Sequence, residues 1–170
     1  FELARIHYGI TLRGGPLGAI ALPANRYDVI TLWHVLEHVP DVRATLSEVA
    51  RLLRPGGLAM IAVPNDSLAV RLPVVIARDA IRRSPRSNLR LMMGAPVPGD
   101  EIHLQHFSQT TLTRTVRRAG MAVRYVGIDD HYPNPTWKTD MKVRIGATLL
   151  RMTRTNCFPT ILLVAETGGD

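Results

Sequence analysis

The alternation of apolar and polar residues is most regular between residues 27 and 65, where two apolar runs flank an amphipathic segment. The runs, 29–32 and 58–63, are nearly continuous, as expected for parallel strands that are covered on both faces. Between them, apolar residues recur along one stripe of a helix, at Val42, Leu46, Val49 and Leu53. The pattern predicts a βαβ unit, whose right-handed crossover brings the carboxyl ends of both strands to one edge of a sheet. Open α/β sheets bind ligands at that edge.

Capping and helix-breaking residues set the predicted ends of this helix. Asp41 is the predicted N-cap, because its carboxylate can accept hydrogen bonds from the free N–H groups of the first turn. Pro55 cannot continue the helix, and Gly56 or Gly57 can take the left-handed conformation that turns the chain into the next strand.

Patterning is weaker upstream and immediately downstream of this unit. The pattern at residues 11–13 predicts a short strand. A turn is predicted after it, at Gly14, Gly15 and Pro16. Residues 67–99 are expected to be an insertion, with a helix at 73–83 and loops on its carboxyl side.

The last third of the chain predicts two further helices and two strands. Ser108 can cap a helix that has Leu112 and Val116 on its inner side and ends at Gly120, with a strand at 123–128. The tail predicts a cationic helix and a final strand, at 138–152 and 160–165.

Length and composition place the chain among globular proteins. Its 170 residues suffice for one domain. The composition, with 46% hydrophobic and 21% charged residues, is ordinary for a globular protein. No apolar run reaches the roughly 18 residues of a membrane span. A single cysteine, Cys157, excludes an internal disulfide and favours a reducing compartment, so we expect a cytoplasmic location.

The chain carries a formal net charge of +7, and part of it is concentrated in the arginines of residues 78–90. Such a cluster favours anionic partners, such as nucleotide-sugars, phospholipid headgroups or nucleic acid, and it also fits a solvated helix face. The cluster contains no aromatic residue on which bases could stack, which argues against single-stranded nucleic acid. Contact with a membrane surface remains open.

Four motifs in and beside the βαβ unit resemble the class I S-adenosylmethionine-dependent methyltransferases. They are Asp-Val-Ile at 28–30, His-Val-Leu-Glu-His-Val at 34–39, Leu-x-Pro-Gly-Gly at 53–57 and Val-Pro-Asn at 63–65. A His-Leu-x-x-Phe-Ser lead-in at 103–108, with the helix and strand after it, is similar to a late segment of the same family.

The resemblance implies an α/β fold with a Rossmann-like, mostly parallel sheet and flanking helices. It also implies S-adenosylmethionine as cofactor and methyl transfer to a small-molecule, sugar or lipid-linked acceptor. Only 26 residues precede Tyr27, where the family has a glycine-rich cofactor loop. We therefore expect residues 1–170 to form the C-terminal part of a single methyltransferase domain, truncated and incomplete in its N-terminal half.

By the same resemblance, cofactor contacts come from the end of the first strand and from the turn after the predicted short strand. The expected cofactor-binding residues are Gly15, Pro16, Leu17, Leu32, Trp33 and His34. The turn lacks the acidic residue that the family usually places near the adenine, so its contact would have to come from backbone groups. For Leu17 and Leu32, a role in the hydrophobic core is an equal alternative.

Histidines are the candidate catalytic residues, namely His34, His38 and His103. Either His103 or His106 could act as a general base for a hydroxyl or amine acceptor. His34, Glu37 and His38 also match the inverted zinc-protease motif, which would make the protein a metal-dependent hydrolase. Pro40 and the preceding strand argue against the long helix of that motif, so we expect no stoichiometric zinc and assign no metal ligand. Some quinone-pathway O-methyltransferases of the family that the chain resembles bind a metal at a similar acidic-histidine turn, and the sequence leaves open whether a divalent metal is used. His38 could equally be a structural residue at the turn.

A third alternative is a non-catalytic domain of the same fold that binds an anionic partner through its arginines. The sequence leaves open the acceptor, the O, N or C atom methylated, and the oligomeric state.

Overall fold

The computed structural model describes residues 1–67, 103–129, 136–153, 156 and 158–168. The predicted helix at 73–83 and the arginine cluster lie outside the described residues, as does all of the predicted insertion except Ser67. The elements, in chain order, are α1 (Glu2–Tyr8), a 3-10 turn (Leu17–Ala19), β1 (Tyr27–Trp33), a second 3-10 turn (Leu36–His38), α2 (Val42–Leu52), β2 (Leu53–Pro64), α3 (Gln109–Arg118), β3 (Met121–Gly127), α4 (Trp137–Thr153) and β4 (Thr160–Thr167).

The four described strands form one sheet in the order β1-β2-β4-β3. β1 and β2 are parallel, and β4 is antiparallel to both of its neighbours, β2 and β3. β1, β2 and β3 therefore run in the same direction, and β4 alone runs in the opposite one. This arrangement confirms the predicted α/β class with a Rossmann-like sheet and flanking helices. Among the described strands the sheet is mixed, with one parallel pair and two antiparallel pairs.

The βαβ unit has the predicted architecture. The Asp41 carboxylate caps α2 by accepting from the backbone N–H of Ala44 at 2.9 Å, and the predicted apolar stripe is buried. α2 ends at Leu52, three residues before Pro55, because β2 already begins at Leu53, where it pairs with Tyr27 of β1. Gly56 takes the left-handed conformation that the sequence predicts, with φ of 75°.

The late segment also follows the prediction. Ser108 and Thr111 form a reciprocal capping box at the start of α3, and Leu112 and Val116 are fully buried. α2 and α3 pack against the sheet and against each other. The core between these helices and the sheet includes Leu36, Leu46, Val49, Ile61, Val63, Leu112, Val116, Ile161 and Leu163.

The N-terminal residues differ from the prediction. The expected strand at 11–13 is wrong. These residues are irregular and exposed, and none of the described strands pairs with them. Within the described ranges, β1 likewise has no partner on the side away from β2, and Val29 in it is 48% exposed. No helix among the described residues is long and apolar enough to cross a membrane.

Candidate functional site

The carboxyl ends of β1, β2 and β3 lie at one edge of the sheet, because these strands run in the same direction. The segments that follow β1 and β2 are residues 34–39 and 65–67. Hydrogen bonds tie residues 103–108 across both segments: the backbone N–H groups of Leu104 and Gln105 donate to the Glu37 carbonyl oxygen, and that of Asp66 donates to the Phe107 carbonyl oxygen. Three segments that are distant in sequence thus form one surface at this edge.

The turn after β1 buries a carboxylate. His34 has a left-handed backbone with φ of 51°, a conformation that costs a non-glycine residue about 1 kcal/mol or more. Its backbone N–H donates to the Ala62 carbonyl oxygen at 2.9 Å, and its Nδ1 lies 3.2 Å from Glu37 Oε1. The Glu37 side chain is 1% exposed, and its Oε2 has no hydrogen-bond partner among the described residues. A buried carboxylate oxygen in this position is available to a ligand, a proton or a cation.

Three imidazole rings lie in a row along the edge. The ring centroids of His38 and His103 are 5.1 Å apart, and those of His103 and His106 are 6.5 Å apart. The far end of this imidazole row is fixed by Asp66, whose Oδ2 lies 2.7 Å from His106 Nδ1. The row brings together two predicted catalytic residues, His38 and His103, and places a carboxylate near each end.

The imidazole row and Glu37 can supply metal ligands. One ligand atom from each of Glu37, His38 and His103 lies within 4.8 Å of the other two. Two imidazole nitrogens with one carboxylate oxygen are a donor set that suits divalent transition metals. The expectation of no metal, which came from the sequence, stays a prediction. A metal analysis aimed at this donor set can test it.

His34 does not join this group as the zinc-protease motif requires. That motif needs its two histidines one turn apart on a helix, whereas here only Leu36–His38 form a three-residue 3-10 turn. His34 lies before that turn with a positive φ, so it and His38 are not on successive turns of one helix. The hydrolase arrangement built on His34, Glu37 and His38 is therefore not formed.

The predicted cofactor-binding residues divide into two groups. Leu32 belongs to the buried core, and Leu17 packs against that core, as their alternative interpretation predicts. Trp33 and His34 are exposed at the end of β1, where the strand has no second partner among the described residues.

The upstream turn offers less to a cofactor. Gly15 has φ of 113°, and a Cβ built on it would meet no atom within 4 Å. Pro16 is exposed, and the 3-10 turn that follows packs on α2. The described residues thus fit one wall of a cofactor site, made of an indole, an imidazole and the free backbone edge of β1. They include no Gly-x-Gly-x-Gly loop.

Two features of the site were not predicted from the sequence. The sequence names Glu37 only as the base of the zinc-protease motif, and it predicts neither the burial of this side chain nor its unpartnered oxygen. The pairing of His106 with Asp66 joins residues 40 positions apart. The available signal was that Asp66 directly follows the Val-Pro-Asn strand end and that His106 lies two residues before Ser108, the cap of α3.

Comparison with known proteins gives a family match over residues 12–126, to a family described as "Methyltransferase domain". Among curated proteins, the chain is similar to the ubiquinone biosynthesis O-methyltransferases of Aeromonas salmonicida and of a Chelativorans species. The first is 32% identical over 106 residues, covering 59% of this chain and 37% of the relative. The second is 33% identical over 91 residues, covering 50% of this chain and 36% of the relative. The chain spans just over a third of the length of these relatives.

Solved structures show the same fold. An S-adenosylmethionine-dependent methyltransferase of Methanosarcina mazei matches with a TM-score of 0.57 and 15% identity, covering 99% of this chain and 76% of that one. The [4+2]-cyclase SpnF matches with a TM-score of 0.57 and 14% identity, covering 99% of this chain and 62% of that one. Because the fold is shared by a cyclase, fold similarity alone does not define the reaction.

Proposed function

Because the chain belongs to the methyltransferase-domain family, whose cofactor is S-adenosylmethionine, we propose that it carries part of the active site of an O-methyltransferase that acts on a small molecule. The observation that carries the proposal is the imidazole row at the carboxyl edge of β1 and β2, with Glu37 and Asp66 near its ends. Sequence similarity to ubiquinone biosynthesis O-methyltransferases supports oxygen as the methylated atom.

Methyl transfer to oxygen requires removal of a proton. The cofactor supplies a methyl group on a positively charged sulfur, which accepts the electron pair of the breaking carbon–sulfur bond. The acceptor oxygen must be aligned with that methyl group, and a hydroxyl acceptor must also lose its proton to a base. The protein's contribution is therefore alignment of the acceptor and a positioned imidazole.

His103 is the proposed base. It lies in the middle of the imidazole row, is half-buried, and has no hydrogen-bond partner on its ring nitrogens among the described residues. A ring nitrogen of His103 is therefore available to accept the acceptor's proton. The rings of His38 and His106 are its neighbours, with centroids 5.1 and 6.5 Å from that of His103, and the Asp66 carboxylate fixes the orientation of His106.

Trp33 and His34 are the proposed cofactor-contacting residues. Both lie at the carboxyl end of β1, and the left-handed backbone of His34 turns the chain away from the strand there. The hydrogen bond between His34 and Glu37 holds this turn. We include Gly15, Pro16 and Leu17 as backbone contacts from the upstream turn, as the family resemblance implies.

A metal-assisted version of the same reaction is the second candidate. Glu37, His38 and His103 could hold a divalent cation, and the unpartnered Oε2 of Glu37 favours this version. In that case His103 is a ligand and not the base, and a bound cation lowers the pKa of a coordinated hydroxyl. The acceptor then loses its proton more easily without an imidazole base.

The experiment uses the complete gene product that contains this chain. Transfer of labelled methyl from S-adenosylmethionine to a water-soluble catechol is measured, and S-adenosylmethionine binding is measured separately by calorimetry. Labelled O-methyl product supports the proposal. An amine and a sugar alcohol are tested as further acceptors. If the protein binds the cofactor but methylates none of the three acceptors, the non-catalytic binding domain is favoured. If only the amine is methylated, oxygen is excluded as the methylated atom.

A further inference from the structure

An apolar stripe runs along the outward face of α4, and the helical positions of Lys138 and Thr148 also fall inside its arc. Trp137, Met141, Ile145, Leu149 and Met152 are each between 40% and 78% exposed. These residues recur every three or four positions, so they form one stripe that covers an arc of about 120° around the helix. We call these five residues the α4 stripe.

Cationic residues flank the α4 stripe on both sides. At 3.6 residues per turn, Lys142 lies roughly 20° beyond one margin of the stripe, and Arg144 and Arg151 lie roughly 20° to 40° beyond the other. All three side chains are exposed. The helix sequence contains four cationic residues and one acidic residue, Asp140. An apolar stripe between two cationic margins is the arrangement of a helix that lies in the surface of an anionic bilayer.

The opposite face of α4 already packs against the protein. Gly146 is buried, and a Cβ built on it would lie 2.8 Å from Phe158 Cδ2 and 3.5 Å from Ile128 Cδ1. The stripe is therefore a second apolar face of the helix, in addition to the one that attaches it to the domain. The described residues leave most of the stripe's surface exposed, so this second apolar face can meet a further partner.

The segment that follows α4 is hydrogen-bonded to the end of β2 at the candidate site. Phe158 and Asn156 follow the helix, and their carbonyl oxygens each accept a hydrogen bond from Asn65 Nδ2 at 2.8 Å. Asn65 directly follows β2 and forms a parallel β-bridge with Phe107. Phe107 is adjacent in sequence to His106 of the imidazole row. The C-terminal end of α4 is therefore joined through this segment to the carboxyl edge of the sheet.

We propose that α4 is a membrane-docking helix that binds the headgroup region of anionic phospholipids through its stripe and the flanking cations. Trp137 stands at one end of the stripe, and tryptophan is favoured at membrane interfaces. A second copy of this chain is a poorer occupant, because it would bring cationic margins together. The docking would supply the neighbouring site with lipid-soluble acceptors, but the lipid binding itself does not depend on the proposed reaction.

The test is vesicle binding by the complete gene product. Vesicles of phosphatidylcholine alone are compared with vesicles that also contain phosphatidylglycerol. Residues 1–170 contain two tryptophans, so replacing Trp33 and any tryptophan outside these residues by Phe leaves Trp137 as the only indole. In that variant we expect a blue shift of the Trp137 fluorescence, and quenching by brominated acyl chains, only with the anionic vesicles. The reciprocal variant, Trp137→Phe, reports on Trp33 and should show neither change.

Charge and stripe variants test the mechanism of binding. One variant is Ile145→Glu, and the other is the double variant Lys142→Glu with Arg144→Glu. Each should lower the partition coefficient between water and anionic vesicles by about tenfold or more. Added salt should also lower the partition coefficient of the wild type. The matched control is Tyr125→Ser on β3, a half-exposed side chain outside the stripe, which should bind like the wild type. Circular dichroism checks that each variant is folded.

Three results would overturn the proposal. They are no binding to anionic vesicles, anionic binding without the Trp137 signal, and a dimer in ultracentrifugation that Ile145→Glu dissociates. The second would assign the membrane contact to another surface of the protein, and the third would assign the stripe to a second copy.

Discussion

His106 Nδ1 lies 2.7 Å from Asp66 Oδ2, although the two residues are 40 positions apart. Asp66 follows β2 and His106 precedes α3, and the neighbouring Asn65 and Phe107 form a bridge between the same two segments. The pair closes one end of the imidazole row. A carboxylate on Nδ1 leaves Nε2 of His106 facing outward as an acceptor or, when protonated, as a donor.

The first prediction concerns the roles of the histidines in this row. His103→Ala in the complete enzyme should lower kcat by about a hundredfold or more, because general-base contributions are typically 10² to 10⁴. Cofactor affinity should not change. His106→Ala and Asp66→Asn should have smaller effects, since they alter the orientation of a neighbour of the base. Steady-state kinetics with saturating cofactor and binding calorimetry without acceptor measure the two quantities.

A matched control for these variants is His7→Ala, which removes an exposed histidine from α1. Its kcat should equal that of the wild type. If His103→Ala retains full turnover while His106→Ala loses it, the base is His106 and the proposed role of His103 is wrong.

The second prediction concerns cofactor contact at the end of β1. Trp33→Ala should weaken S-adenosylmethionine binding by about 1 to 3 kcal/mol, because it removes apolar contact from one wall of the site. Turnover at saturating cofactor should be retained. Trp137→Ala is the control, since it removes the other tryptophan of the chain from α4. Equal cofactor affinity in Trp33→Ala and the wild type would place the cofactor elsewhere.

Local patterning was sufficient to predict the elements that position the site. The Asp41 cap, the α2 stripe from Val42 to Val49 and the left-handed conformation of Gly56 are read from residues within one turn or one strand, and the structure confirms all three. Leu53, predicted as the last residue of the stripe, and Gly56, predicted in the turn before the strand, both lie inside β2 instead. The helix α1 was missed, although Gly9 supplied a signal: it ends that helix in the left-handed conformation, with φ of 65°.

Features that depend on tertiary pairing could not be predicted in the same way. The strand expected at 11–13 is absent because a strand needs a hydrogen-bonding partner, which local residue types do not reveal. The imidazole row forms because residues 103–108 cross the two segments that follow β1 and β2. Its histidines were recognised as candidates from the sequence, but their order and their carboxylate partners follow from the fold.

The third prediction concerns the metal. We expect methyl transfer to survive dialysis against EDTA, because the first candidate mechanism uses His103 as a base and needs no cation. Elemental analysis of protein prepared without chelator should show less than one equivalent of zinc. Loss of activity in EDTA, with recovery on adding Mg²⁺ or Zn²⁺, would instead support the site of Glu37, His38 and His103. That recovery should then fail in Glu37→Gln.

The fourth prediction is a pH dependence of stability. Arg51 Nε and Nη2 donate to the two carboxylate oxygens of Glu48 at 2.8 and 2.6 Å, and these hydrogen bonds lower the pKa of Glu48. Because the folded pKa is below the unfolded one, the stabilisation is present above the unfolded pKa of about 4.3 and is lost as pH falls through the lowered value.

The measurement is urea unfolding of the wild type and Glu48→Gln at several pH values. The difference in the free energy of unfolding should be present at neutral pH and should vanish in acid. In an Arg51→Met background, Glu48→Gln should produce no such pH-dependent difference. A difference that persists unchanged into acid would show that the effect does not come from the carboxylate charge.

The last prediction concerns the link between β2 and the segment after α4. Asn65 is buried, and its Nδ2 donates to the carbonyl oxygens of Asn156 and Phe158, each at 2.8 Å. Asn65→Ala removes both hydrogen bonds, and removing one partner of a buried hydrogen bond costs about 1 to 3 kcal/mol. We therefore expect the free energy of unfolding to fall by about 2 to 4 kcal/mol in urea titrations. Thr110→Ala, on the exposed face of α3, should change it by less than about 0.5 kcal/mol. A loss from Asn65→Ala as small as that of the control would mean that other groups hold this segment at the edge of the sheet.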